Sequence, residues 1–155
     1  MVSTRRLLPL IAAVILGHAA PLGAADASWQ ADILHHVNAA RAAQALPPLQ
    51  WDARLAEAAA RHAADLQACG RLAHDGCDGS TLPGRAAAAG FRFRRVSENL
   101  ALCPCDAAEA VRLWLGSDGH RRNLLDPEVS LLGADTRIDG ADLRRQQWVL
   151  VLGRE

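Results

Sequence analysis

Ser97-Glu98-Asn99-Leu100-Ala101 and, further along, Trp114-Leu115-Gly116-Ser117-Asp118-Gly119-His120-Arg121-Arg122-Asn123-Leu124-Leu125 are the stretches on which the fold reading turns. Residues 92 to 102 alternate enough to include a strand around Val96 to Leu100. Asp106, with Glu109 three residues on, starts a helix whose apolar side is Val111, Leu113, Trp114 and Leu115. Ser117-Asp118-Gly119 breaks that helix, and His120 to Leu125 forms a short helical turn ended by Asp126-Pro127. Each stretch sets polar chemistry in a stiff local frame.

Working outward, Trp29 to Ala45 reads as a helix, with Ile33, Leu34, Val37 and Ala40 at helical spacing and Asp32, His35, Asn38 and Arg41 largely off that stripe. Pro47 and Pro48 break it, since proline removes a backbone donor and restricts its predecessor. Asp52 can cap a second helix that runs to about Cys69, with Leu55, Ala59, His62 or Ala63, and Leu66 on one face. Gly70 ends it. Arg71-Leu72-Ala73-His74 then leads into a loop over residues 75–84 rich in Gly, Asp, Ser and Pro. Pro83 to Ala89 is a short alanine-rich helix stopped by Gly90. Ser130 to Ile138 and Gln146 to Leu152 read as two strands joined by a polar turn around Asp139-Gly140. Helices first and strands mostly last favour an α+β fold over a doubly wound sheet.

Taken together and in this order, these stretches resemble the CAP superfamily of cysteine-rich secretory proteins, insect venom antigens, plant pathogenesis-related proteins and bacterial relatives. Val37-Asn38, Arg41 and Leu49-Gln50-Trp51-Asp52 are similar to the family's opening helix and its exit. Leu55 to His62 resembles its second helix. Arg85 and Ala89-Gly90-Phe91 match the segment before the Glu-Asn strand, and Trp148 to Gly153 resembles the closing strand. The resemblance implies a three-layer α-β-α sandwich with a central cleft lined by two histidines and two glutamates. Position by position, His74 and His120 match the histidines and Glu98 the first glutamate. Ser117 stands where the second glutamate would be. Two imidazoles and one carboxylate can still make an open site for zinc or another divalent cation, with His74 and His120 as metal ligands. The lost carboxylate removes one charge and one general base.

Each residue also has a plainer reading. Glu98 could pair with Arg92, Arg94 or Arg95, and His120 could merely cap the turn after Trp114. Ser117 reads as an N-cap rather than a nucleophile, because a Ser117/His120/Glu98 triad lacks a GxSxG elbow. Asn99 and Asn123 should hold backbone groups in place. His35, His36 and His62 are assigned to helix surfaces without a role. Three functions compete. The leading one is a binding cleft formed by His74, Glu98, Ser117 and His120 for an extracellular or envelope ligand such as a lipid, sterol, peptide or glycan. The others are a hydrolase using Glu98 and His120 as catalytic groups, and an envelope protein in which the cluster only braces the fold.

Composition narrows the setting. The formal net charge is zero, which gives no basic surface for nucleic acid. All 17 basic residues are arginine. Residues 1–27 order as basic, apolar and small segments, the pattern of a secretory signal peptide. The apolar run is short of the ~20 residues a spanning helix needs. A single domain over residues 28–155, secreted or periplasmic, monomeric and without a membrane anchor after cleavage, is therefore expected. Cys69, Cys77, Cys103 and Cys105 make an even count, which in an exported chain reads as disulfides. A Cys103-Pro104-Cys105 bridge would close a cramped ring. Bridges across the pairs are expected instead: Cys69–Cys103 with Cys77–Cys105, or Cys69–Cys105 with Cys77–Cys103. The second is preferred because Cys77 follows the His74 loop and Cys103 ends the Glu98 strand. For the exported protein, intact mass is expected to place the N-terminus between Ala25 and Ser28. A product still beginning at Met1 would overturn the export reading.

Overall fold

A computed structural model describes residues 26–139 and 142–155. The signal segment expected over residues 1–27 falls, up to residue 25, outside the described residues, as does Gly140 of the expected turn. In chain order the elements are α1 (Asp26–Ala42), β1 (Gln50–Trp51), α2 (Ala53–Cys69), α3 (Leu82–Ala88), β2 (Arg95–Leu102), α4 (Ala107–Leu115), α5 (Asp118–Leu124), β3 (Leu131–Asp139) and β4 (Asp142–Arg154). The strands form one sheet in the order β1-β3-β4-β2, with β1 parallel to β3 and the other pairs antiparallel. Among the described residues, no helix is long and apolar enough to cross a membrane.

Helix ends follow their capping chemistry. The Asp52 carboxylate accepts from the backbone N–H of Arg54 and Leu55 at 2.8 and 3.2 Å, and Gly70 closes α2 in the left-handed region at φ 67°. These are groups a helix terminus otherwise leaves unpaired. Asp106 accepts from Glu109 N–H at 2.9 Å, but the Glu109 side chain turns to Arg112, so only half of the capping box forms.

Two cores lie on opposite faces of the sheet. Ile33 and Val37 of α1, Val111 and Trp114 of α4 and Leu124 of α5 pack on Ala101, Leu132, Trp148, Leu150 and Leu152. Leu55, Ala59, Ala63 and Leu66 of α2, with Ala86 and Phe91, pack on Leu100, Val149 and Val151. Alternate residues of β4 thus serve alternate layers, as the pleat requires, and the α-β-α sandwich follows. Arg41, expected off the apolar stripe, is fully buried instead. Its guanidinium donates to the carbonyls of Pro47, Leu124 and Asp126 at 2.8–2.9 Å, so burial is matched by fixed acceptors.

The cysteines pair locally, Cys69 with Cys77 and Cys103 with Cys105, at Cα separations of 6.5 and 5.2 Å. The cross-pair bridges expected from the sequence do not form. Cys69 ends α2 on one face of the sheet, whereas Cys103 packs with Ala107 and Trp114 on the other. The sheet lies between them.

Helix α2 lies hard against β3 at Gly133, where an added Cβ would sit 2.0 Å from the Ala56 nitrogen. Backbone cannot yield as a flexible side-chain end can. Gly133→Ala is expected to cost at least about 3 kcal/mol, the upper end for overpacking, measured by urea unfolding.

Candidate functional site

Strand β2 carries the centre of the site. Glu98 pairs in register with Val151, and Asn99 with Leu150. Val151 belongs to the α2 face and Leu150 to the α1/α4 face, so successive polar residues of β2 serve opposite layers. On the α2 face, the Glu98 side chain is only 1% exposed. Its Oε2 accepts from Arg85 Nη2 at 2.8 Å and its Oε1 from His74 Nδ1 at 2.8 Å. A carboxylate can only accept here, so the proton of His74 sits on Nδ1 and Nε2 is left for other partners. His62 Nε2 lies 3.7 Å from Glu98 Oε1 and donates to the Ala73 carbonyl at 2.9 Å.

Arg85 does more than neutralise Glu98. It also donates to the carbonyls of His74 and Ser80, at 3.0 and 3.1 Å. The loop between α2 and α3 is thereby fastened at two points to a buried cation on α3. His74 rides on that loop with a side chain 61% exposed. Its ring is held from behind and open in front.

On the other layer, Asn99 donates to the His120 carbonyl at 3.1 Å. Asn123 donates to Asn99 Oδ1 at 2.8 Å and to the Glu98 carbonyl at 3.2 Å. These amides pin α5 to β2, and α5 presents His120, which is half-buried. Burial first, and then the electrostatic influence of His74, hold the His120 pKa below the ordinary imidazole value. Ser117 takes the N-cap position of α5, but its side chain makes no capping hydrogen bond; its carbonyl instead accepts from Arg121 N–H at 2.8 Å.

The partners of Glu98 differ from those expected. Arg85 and the histidines hold it, while Arg95 pairs with Asp126. His62 is fully buried rather than on a helix surface. Its position in the run Leu55, Ala59, His62, Leu66 was the available signal, since those spacings define one helix face. No comparable pattern marks Arg85 as the buried cation.

The family description "cysteine-rich secretory protein family", CAP, matches residues 34–151. The chain belongs to this family. An uncharacterized membrane protein of Bacillus subtilis, YlbC, is 30% identical over 120 residues, covering 73% of this chain and 35% of that protein. An extracellular Bacillus anthracis protein containing an SCP domain superimposes with a TM-score of 0.74 at 27% identity, covering 83% of this chain and 41% of its own. An outer surface protein of Borrelia burgdorferi shares the fold, with a TM-score of 0.72 at 20% identity, covering 79% of this chain and 90% of its own. The chain spans well under half the length of the two Bacillus relatives.

The donor set of this CAP domain can be compared with what a metal needs. Among the described residues, Asp65, Cys69 and Cys77 form the one group of three candidate ligands within 4.8 Å of one another, and both sulfurs are bridged. His74, Glu98 and His120 form no such group, and both Glu98 oxygens already accept hydrogen bonds. A divalent cation would rest on His74 Nε2 and His120, with Glu98 orienting His74 from behind, as carboxylates do for ligating imidazoles.

His62 makes the site sensitive to acid. Its Nδ1 is buried without a hydrogen-bond partner, and burial is the largest cause holding its pKa below the ordinary value. The unfolded chain therefore takes up this proton more readily than the folded one. Stability is expected to be fully present above about pH 6.5 and to fall as pH drops through the lowered folded pKa. His120 adds to the same slope. Denaturant midpoints measured from pH 7.5 to 5 should show the decline, and His62→Gln should flatten most of it.

Proposed function

We propose that this CAP domain is exported and that His74, Glu98, Ser117 and His120 frame a cleft for an extracellular or envelope ligand, a lipid, sterol, peptide or glycan. The observation that carries the reading is the contrast within one hydrogen bond. His74 is 61% exposed while Glu98, which fixes it, is 1% exposed. A solvent-facing ring held by a buried carboxylate is oriented in advance, and orientation in advance lowers the entropic cost of binding. The extracellular Bacillus anthracis relative supports export.

Hydrolysis fits the same residues less well. A general base must reach the proton it abstracts, and Glu98 is buried with both oxygens engaged. Ser117 offers no carboxylate in compensation. The bracing reading has its own support in Arg85 and His62, which are buried and face inward. Bracing and binding divide between the inner and outer groups of one cluster.

This division gives a test. His74→Ala and His120→Ala are expected to cost less unfolding free energy than Arg85→Ala, because neither ring is fully buried. Arg85→Ala, which strands a buried carboxylate, should cost about 3–5 kcal/mol. An envelope extract added to ¹⁵N-labelled protein should shift amide resonances around residues 74 and 117–120, and both histidine variants should lose those shifts. Mass spectrometry of the recovered extract should find it uncleaved. Cleavage products dependent on His120 would favour the hydrolase, and absent shifts would leave only the bracing role.

A further inference from the structure

Asn123, bonded to β2 beside Glu98, also lines an open concavity. An open cleft of about 490 Å³ lies along α5 and the start of β2, lined by Arg95, Arg121, Arg122, Asn123, Leu125 and Asp126, among others. Its charge is uneven for a chain with zero formal net charge. Three guanidinium groups face it against one carboxylate, Asp126, which is buried and already holds Arg95. Arg95 is engaged there through Nε alone among the described residues, so the other edge of its guanidinium remains available. Arg121 pairs with Asp118 at 2.5 Å. Arg122 has no hydrogen-bond or ion-pair partner among the described residues.

We propose that this cleft is a binding site for a phosphate group. An unpaired, exposed arginine beside two ion-paired ones at the rim of an open cleft leaves a local positive surplus that an incoming anion can share. Guanidinium groups match phosphate oxygens in paired hydrogen bonds. Two partly satisfied arginines and one free one suit an anion with several oxygens better than a single carboxylate. Leu125 adds an apolar wall, which suits a phosphate attached to an organic group. The site is distinct from His74 and His120, and it stands whether or not those residues bind a ligand.

The test is an NMR titration of ¹⁵N-labelled protein with inorganic phosphate at pH 7, with ionic strength held constant by sodium chloride. Saturable shifts are expected at the amides of residues 121–126 and at the side-chain Nε–H of Arg95 and Arg122. Arg122→Gln, which removes no bond that holds the fold, should weaken the phosphate affinity about tenfold. His74→Ala and His120→Ala should leave it unchanged, which separates this site from the neighbouring one. Vesicles of phosphatidylcholine with and without phosphatidylglycerol identify the source. Arg122-dependent pelleting with the anionic vesicles alone points to a lipid headgroup, and saturable phosphate binding without pelleting points to a soluble phosphorylated molecule. Shifts that do not saturate, or that persist unchanged in Arg122→Gln, would overturn the proposal whatever the vesicles do.

Discussion

A carboxylate that is 1% exposed cannot stand alone, and the arrangement around Glu98 is organised by that requirement. An isolated buried charge costs far more than a domain can spare. Arg85 supplies the opposite charge from α3, itself only 4% exposed. The same guanidinium holds the carbonyls of His74 and Ser80. One ion pair therefore links β2, α3 and the loop that follows α2. Without it the loop would lose its two inner attachments, and His74 would lose a fixed position.

The sheet order explains how one strand serves two layers. Strand β2 is at the edge, with β4 as its strand neighbour, so nothing in the sheet covers its outer side among the described residues. Glu98 belongs to the α2 and α3 layer, and Asn99 to the layer of α4 and α5. His74 is attached to the first and His120 to the second, on either side of that edge strand. The amide chain from Asn123 through Asn99 to the His120 carbonyl sets the height of α5 against the strand. Gly133 sets the height of α2, because the helix backbone occupies the space a side chain would need. Both histidines thus depend on spacings fixed several residues away from them.

Much of this was legible in the chain. Asp52 and Gly70 mark the ends of α2 because their chemistry suits those termini. Asn99 and Asn123 hold backbone carbonyls, as their side chains can. What escaped was the partnership of charges across elements. Arg41 and Arg85 are buried because carbonyls or a carboxylate meet them from segments distant in sequence, which no local pattern reports. His62 differs: its helical spacing points inward, while imidazole is a side chain common on helix surfaces. The disulfides escaped because spacing says nothing about which face of a sheet each cysteine occupies. Cys69 and Cys103 are on different faces, so local bridges result.

The substitution at Ser117 bears on how the cluster divides its work. A glutamate there would have added a second carboxylate three residues before His120 in the chain. With serine there, the acidic group of the motif is Glu98, and Glu98 is taken up by Arg85 and His74. The lowered pKa of His120, from burial and from His74, fits a site with no carboxylate to hold an imidazolium. At neutral pH such a ring is uncharged, able to donate or accept one hydrogen bond. In the proposed cleft such a ring would make neutral polar contacts. The surplus positive charge lies farther along α5, at Arg122.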